Sequence, residues 1–208
     1  METALSHLIA AEPAFAPLIA RIGRPQLRPE RGRSPYEALL RAITHQQLHA
    51  RAAEAIFARF CALYPTPFPM PDAVLATPSE VLRATGLSAG KIAAIRDLAA
   101  RAEDGTVPSR RAAARLSDAA LIERLVTIRG IGRWTVEMLL IFTLGRPDVL
   151  PVDDFGVREG WRLLLGLAEQ PKPKVLAARG EAFAPYRSTA AWYLWRAADE
   201  GKKIKPTA

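Results

Sequence analysis

Apolar residues at helical spacing run along nearly the whole chain and restrict its fold more than any other feature. Leu39, Leu40 and Ile43 show the pattern, because residues three and four positions apart share one face of a helix. Strands would instead alternate apolar and polar positions, and the nearest such segment, Val149–Val152, contains Pro151. The sequence therefore predicts an all-α fold.

Capping residues and helix breakers divide this pattern into separate helices. Thr3, Ser34-Pro35 and Ser88 are suitable N-terminal caps, and Gly86 is a suitable C-terminal one. Residues 23–34 are rich in Arg, Pro and Gly and predict an extended crossing. The predicted helices span residues 3–10, 14–22, 35 to about 43, 50–64, 71–76, 78–84, 89–102 and 119–127, and a further helix begins near residue 133.

The composition predicts a folded protein with a polyanionic partner. Half of the 208 residues are hydrophobic, which is enough to bury a sizeable core. The formal net charge is +8 and the isoelectric point is about 10.1. Such a balance favours nucleic acid as a partner over the alternative of a merely basic surface.

Residues that form disulfides or bind metals are scarce. The single cysteine, Cys61, excludes an internal disulfide and any four-cysteine zinc or iron–sulfur site. The three histidines lack a supporting cluster of cysteines or carboxylates, which argues against a transition-metal site. No apolar stretch has the length of a membrane span, and no signal sequence is evident. We therefore expect a soluble, cytoplasmic protein with no membrane partner.

The most informative segment is the string from Leu125 to Thr135, in which two glycines separate two helices. Gly130 and Gly132 permit positive φ angles and a close approach of the backbone to a ligand. The turn precedes a helix N-terminus, whose N–H groups and dipole favour an anion, and Arg129 and Arg133 flank it. The segment thus predicts a phosphate-binding hairpin; the alternative is an ordinary corner between two helices.

This string resembles the hairpin of the helix-hairpin-helix (HhH-GPD) DNA glycosylases, most closely the DNA-3-methyladenine glycosylase II, or AlkA-like, branch. The resemblance implies a two-lobed helical bundle that forms one domain, with a lobe built from both termini (about 1–34 and 155–208) and a central hairpin lobe (about 35–154). It also implies that no cofactor is required, although the hairpin carbonyls hold Na⁺ or K⁺ in the family. The corresponding main-chain oxygens belong to Val126, Ile128 and Gly130, and the DNA-contacting hairpin residues are Arg129, Gly130, Gly132, Arg133 and Thr135.

Two adjacent carboxylates, Asp153 and Asp154, follow the loop after the hairpin helix and precede a new helix. Either could cap that helix, and Asp153 is the expected cap. The resemblance places Asp154 in the position of the family's catalytic aspartate. An ionised carboxylate stabilises the oxocarbenium-like state of base excision and could orient or deprotonate the attacking water.

Aromatic residues near these motifs are candidates for a pocket that holds the excised base. Trp134 opens the hairpin helix, and Met138 lies one turn later. Tyr186 occupies a position that resembles a pocket aromatic of the family, and Phe155 follows Asp154 directly. A cationic alkylated purine would stack on such faces; the alternative is that each residue belongs to the core. Two tryptophans of the C-terminal helix are expected to serve packing only: Trp192 and Trp195.

The segment His45-Gln46-Gln47-Leu48-His49 interrupts the apolar pattern between two helices. It resembles the family's turn that carries an intercalating side chain, which fills the gap left by a flipped base. Gln47 or Leu48 is the candidate wedge, with Gln47 preferred by alignment, and His49 stands where serine is commoner. The alternative is a polar junction with surface glutamines.

The resemblance therefore predicts a monofunctional DNA glycosylase of base excision repair. We expect it to hydrolyse the N-glycosidic bond of alkylated purines in double-stranded DNA and to act as a monomer. One alternative is a bifunctional glycosylase/lyase, which needs a Schiff-base lysine where this sequence has Trp134. The other alternative is a non-catalytic helix-hairpin-helix DNA-binding module.

Overall fold

The computed structural model describes residues 2–204, and every regular element within that range is helical. Serine caps begin several of the helices, and at Ser34 the capping box is complete, because Ser34 and Glu37 each accept the other's backbone N–H. The α-helices are α1 (Glu2–Ala11), α2 (Phe15–Ile22), α3 (Pro35–His45), α4 (Ala50–Cys61), α5 (Pro71–Ala76), α6 (Ser79–Ala84), α7 (Ala89–Glu103), α8 (Arg110–Ala113), α9 (Asp118–Leu125), α10 (Arg133–Leu139), α11 (Phe155–Leu164), α12 (Pro173–Gly180) and α13 (Arg187–Ile204).

The all-α prediction is confirmed, and most predicted helices lie within one or two residues of their positions. The largest error is at α4, which ends at Cys61 rather than at Tyr64. After Cys61 the backbone hydrogen bonds join residues three apart, so the chain forms a turn before Pro65. Helix α10 passes directly into a π-helical turn at Leu140–Leu144, which no simple period predicts. Among the described residues, no helix is long and apolar enough to cross a membrane.

The chain divides into two compact units. The terminal unit combines the chain up to Pro29 with the chain from Gly145 onward, and the central unit is Glu30–Leu144. The terminal unit has its own core, in which the rings of Phe15 and Trp161 pack against Phe183. In the central unit, buried apolar residues of α3, α4, α7 and the hairpin form the core, among them Leu39, Ile43, Phe60, Ile95, Leu98, Leu125 and Ile131.

The boundaries of these units differ from those of the expected lobes at both points where the chain passes from one unit to the other. Residues 30–34 belong to the central unit, where the N–H of Glu30 donates to the Phe142 carbonyl at 2.8 Å. Residues 145–154 belong to the terminal unit, because Ser188 of α13 holds this loop. The Ser188 hydroxyl donates to the Arg146 carbonyl at 2.7 Å and accepts the Val149 N–H at 3.0 Å. The loop that carries Asp154 is thus built with the helices of the terminal unit.

Candidate functional site

The hairpin has the geometry of a tight turn between two helices. The N–H of Ile131 donates to the Ile128 carbonyl at 3.0 Å, and Gly130 adopts a φ of +78°. A side chain at Gly130 would also come within 3.1 Å of the Cβ of Ala94. Gly132 does not use the positive φ that a glycine permits: its φ is −95°, and it is the N-cap of α10. Gly132 makes no side-chain cap at this end of α10, and a helix N-terminus presents backbone N–H groups and the positive end of its dipole, which favour an anion.

The two arginines of the hairpin are both exposed. Arg133 donates from Nε to Oε1 of Glu137 at 2.9 Å, and Glu137 is buried while the Arg133 side chain is 61% exposed. The ion pair therefore anchors the guanidinium at its inner edge and leaves its outer part in solvent. Arg129 is held through its backbone, because its N–H donates to Oδ2 of Asp97 at 2.7 Å.

One face of α7 supports both segments that the sequence assigns to DNA. Asp97 accepts the Arg129 N–H of the hairpin, Ala94 lies against Gly130, and Lys91 donates from Nζ to the Thr44 carbonyl at 2.7 Å near the end of α3. Burial lowers the pKa of Lys91. Sequence reasoning missed these three supporting residues of α7. The available signal was that Lys91, Ala94 and Asp97 are spaced three residues apart, which puts neighbouring members on one face of a helix.

The hairpin carbonyls are neutral oxygens, which is the kind of donor that binds a monovalent cation. The Ile128 oxygen accepts the Ile131 N–H, and the Gly130 oxygen accepts Nε2 of Gln46 at 2.9 Å. A carbonyl oxygen has two lone pairs, so each keeps one for a cation. The residues therefore fit Na⁺ or K⁺, with Val126 as the third expected ligand.

The turn between α3 and α4 is held in a restricted conformation. Helix α3 ends at His45, and Gln47 adopts a φ of +55°, the one positive φ at a non-glycine residue in the described chain. Gln47 and Leu48 are both exposed, as a wedge requires. His49 caps α4, because its Nδ1 accepts the Arg51 N–H at 3.4 Å.

A cavity of about 450 Å³ lies in the central unit beside this turn. Its size falls in the range of small-molecule sites. It brings together Gln47, Trp134, Thr135 and Met138 of the predicted site residues, along with Ala42, His45 and Gln46. Trp134 is 47% exposed and presents its indole to the cavity region, whereas Thr135 is buried and lines the wall.

The terminal unit places Asp154 at the N-terminus of α11. Its Oδ1 accepts the N–H of Val157 at 2.8 Å and the indole N–H of Trp195 at 2.8 Å. The expectation that Asp153 caps this helix is therefore wrong; Asp153 is exposed, and Asp154 is the cap. Trp195, for which the sequence favours packing over chemistry, also donates its indole N–H to the candidate catalytic carboxylate.

The remaining aromatic candidates flank this carboxylate in sequence or in the terminal unit. Phe155 follows Asp154 directly and is 65% exposed, which excludes it from the core. Tyr186 precedes α13 and is half-buried, and its ring meets His7 edge-on with ring centroids 5.4 Å apart.

An ion pair reinforces the loop that leads to Asp154. Arg187 donates from Nε and from its terminal nitrogen to the two oxygens of Asp148, each at 2.8 Å. These bonds hold the pKa of Asp148 below its usual value. The loop is thus fixed at Asp148 and at its Ser188 contacts before it reaches Asp154. Within residues 2–204 no cluster of three His, Cys, Asp or Glu side chains could hold a metal ion.

A glycine turn between two helices, with no side-chain cap at the second helix and with flanking arginines, has the geometry of a helix-hairpin-helix motif that suits a phosphate. Comparison with known proteins identifies the branch. Residues 40–185 match the HhH-GPD superfamily of base excision DNA repair proteins. The chain belongs to this superfamily.

Similar proteins support the assignment along nearly the full length. DNA-3-methyladenine glycosylase 1 of Schizosaccharomyces pombe is 43% identical over 96% of this chain and 90% of its own. A structure of the Schizosaccharomyces pombe 3-methyladenine DNA glycosylase with abasic DNA has a TM-score of 0.82 at 42% identity, covering 93% of this chain and 95% of that one. A DNA-3-methyladenine glycosidase structure from Bacillus halodurans has a TM-score of 0.88 at 33% identity, covering 97% and 91%.

Proposed function

We propose that this protein is a monofunctional DNA glycosylase that removes alkylated purines, of the 3-methyladenine and 7-methylguanine type, from double-stranded DNA. The names of the similar proteins support this activity, and the structure bound to abasic DNA supports DNA as the partner. The observation that carries the proposal is the carboxylate of Asp154, fixed at a helix N-terminus by two donors on one oxygen.

Asp154 supplies the negative charge that the reaction requires. Alkylation at N3 or N7 makes the purine cationic, so the bond from C1′ to the base nitrogen breaks with its electron pair going to the base. The sugar then carries positive charge, which an ionised carboxylate stabilises. Water adds its oxygen to C1′ and releases a proton, which Asp154 can accept. The departing base leaves neutral, so no general acid is needed.

Each unit has aromatic side chains that are suited to stack on a purine. In the central unit, Trp134 offers an exposed indole face, and Met138 lines the same cavity with an adaptable thioether. Stacking of a desolvated cationic purine on an indole is worth about 1–2 kcal/mol. In the terminal unit, Phe155 and Tyr186 are the aromatic candidates for this task.

The DNA backbone and the gap left by the base are served by separate segments of the central unit. We propose that Gln47, or Leu48 beside it, enters the stack, since both are exposed on the restricted turn. Arg129, Arg133 and the N–H groups at Gly130 and Gly132 would hold a phosphate. A cation on the Val126, Ile128 and Gly130 oxygens, when bound, would supply a positive charge toward the same phosphate. We propose that the protein acts as a monomer.

The central unit lacks a lysine at the position that Schiff-base chemistry of a lyase requires. Trp134 occupies the position at which the lyases carry their lysine, and Lys91 is the single lysine between Glu30 and Leu144. The Lys91 amine donates to the Thr44 carbonyl, which engages it in a structural contact. Hydrolysis without strand cleavage is therefore the expected outcome.

Release of free bases from methylated duplex DNA tests the proposal. Wild-type protein should release 3-methyladenine, 7-methylguanine or both, and leave abasic sites that break only after alkali. Asp154→Asn keeps the cap acceptor but removes the charge, and should lower the release rate by about a hundredfold or more. Asp153→Asn is the matched control, since it neutralises the exposed neighbour.

Three outcomes would contradict parts of this proposal. Full activity of Asp154→Asn would remove Asp154 from its catalytic role. Strand cleavage without alkali would establish the lyase reaction. DNA binding without release of any base would leave a binding module.

A further inference from the structure

We propose that Trp195 is a positioning residue of the glycosylase reaction, which fixes the carboxylate of Asp154 through its indole N–H; this rests on the proposed catalytic role of Asp154. The contact joins two helices that are far apart in sequence. Trp195 lies on α13, and Asp154 is the N-cap of α11. The distance from Nε1 of Trp195 to Oδ1 of Asp154 is 2.8 Å, with the indole half-buried.

Two glycines make this contact sterically feasible. A Cβ at Gly160 would lie 1.9 Å from the carbonyl oxygen of Leu194, so α11 and α13 touch at backbone distance there. Leu194 immediately precedes Trp195, so this crossing sets the position of the indole. A Cβ at Gly156 would lie 2.9 Å from Cδ1 of Trp195 and 3.1 Å from Oδ1 of Asp154. Both glycines therefore keep open the space in which the indole meets the carboxylate.

The indole suits this task because of its hydrogen-bonding chemistry. An indole N–H is a donor only and carries no charge. An arginine or lysine here would pair with the carboxylate and reduce the negative charge that the oxocarbenium state needs. The cap bond from Val157 holds Oδ1 of Asp154 from within α11, and the indole N–H adds a second, charge-assisted donor to the same oxygen from another helix. Trp195 thus orients Asp154 and leaves it ionised.

Trp192, one turn earlier on α13, provides a matched control. Its ring meets Tyr193 edge-on, with centroids 5.0 Å apart, and the Arg196 guanidinium lies 5.6 Å from its centroid. It is half-buried against the terminal core, as Trp195 is. Replacement of either tryptophan by phenylalanine removes a similar volume, but only Trp195→Phe removes the donor to Asp154.

The decisive measurements are the single-turnover rate of base release, the affinity for abasic-site DNA and the melting temperature. For Trp195→Phe we expect the rate to fall about tenfold to a hundredfold, the effect of losing a hydrogen bond to a charged group. Its DNA affinity and melting temperature should match those of Trp192→Phe, whose rate should stay within about twofold of wild type. Gly156→Ala, which displaces the indole, should reproduce the loss of rate. Equal rates for the two phenylalanine variants would overturn the proposal.

The indole N–H resonance gives a readout that does not depend on activity. In a proton–nitrogen NMR spectrum of wild type, the Trp195 signal should lie downfield and should move upfield in the isosteric Asp154→Asn, while the Trp192 signal stays in place. An unmoved Trp195 signal would overturn the contact even if Trp195→Phe did not fold. If wild type releases no base, the proposed function has failed, and if Asp154→Asn retains full base release, Asp154 has no catalytic role. If Asp154→Asn loses release while Trp195→Phe behaves like Trp192→Phe, only this inference has failed.

Discussion

The hairpin of the central unit and the carboxylate site of the terminal unit are built in different ways. The hairpin is formed by the backbone of one short segment, and its turn follows from glycine and helix-end chemistry. The Asp154 carboxylate is a side chain whose oxygen accepts the indole N–H of Trp195, forty-one positions further along the chain. A local motif can be read from sequence, whereas the orientation of a side chain by a distant helix is a property of the tertiary structure.

The supports of the two sites also differ in strength. Those of the hairpin are polar contacts near the surface: the Asp97 carboxylate to the Arg129 N–H, and the Gln46 amide to the Gly130 carbonyl. The support of Asp154 is a crossing of two helices at backbone distance. Surface hydrogen bonds contribute modestly to stability because water competes for them. Steric overlap in a packed core is costly, because the neighbouring atoms have little room to move away. Substitutions at the crossing should therefore cost more than those at the hairpin.

Gly160→Ala should have the largest effect on stability. Its Cβ would overlap the Leu194 carbonyl, so the two helices must separate and lose core contacts. We expect the free energy of unfolding to fall by at least about 3 kcal/mol, measured by urea denaturation. The same separation moves Trp195 away from Asp154, so base release should fall as well.

Gly90→Ala tests whether the loss at Gly160 comes from helix packing. Gly90 lies in α7, and a Cβ there would meet nothing within 4 Å. Alanine in that helix should be neutral or stabilise the protein by up to about 1 kcal/mol. If both substitutions destabilised the protein equally, the close crossing would not be the cause.

Sequence reasoning identified the fold and the candidate site residues better than the contacts that support those residues. The all-α fold and the hairpin could be predicted, since helix spacing and glycine turns are local signals. The contact of Trp195 with Asp154 could not be predicted, because nothing in the sequence around Trp195 indicates that its N–H meets Asp154. Likewise, the sequence offered both aspartates as caps, and the choice of Asp154 depends on the loop held by Ser188.

Asp97 should have a smaller effect, confined to DNA binding. Asp97→Ala removes the acceptor for the Arg129 N–H, and we expect the affinity for abasic-site DNA to fall about threefold to tenfold. Asp97→Asn keeps an acceptor while removing a negative charge near the phosphate site. Its affinity should equal or exceed that of wild type, most clearly at low salt. Fluorescence anisotropy at several salt concentrations would measure both variants.

The alanine and asparagine variants both lose the charge of Asp97, but only the alanine variant loses the acceptor for the Arg129 N–H. Their comparison therefore separates the effect of this hydrogen bond from the effect of the charge. Asp104→Asn serves as a control, since it neutralises an exposed carboxylate just after the same helix. Equal affinities for Asp97→Ala and Asp97→Asn would show that the Arg129 contact does not position the hairpin for DNA.

The smallest expected effect concerns the loop before Asp154 and depends on pH. Arg187 holds the pKa of Asp148 below its usual value through its hydrogen bonds, and burial opposes this only in part. A depressed pKa in the folded state stabilises the protein above the unfolded pKa, about 3.9, and this stabilisation is lost as the pH falls through the folded pKa. Asp148→Asn should therefore lower the free energy of unfolding by about 1 kcal/mol at neutral pH, and the difference from wild type should vanish in acid. Urea denaturation from neutral pH downward would measure it. A difference that stayed constant with pH would assign the loss to packing, and the terminal site would then rest on Ser188 and the helix crossing alone.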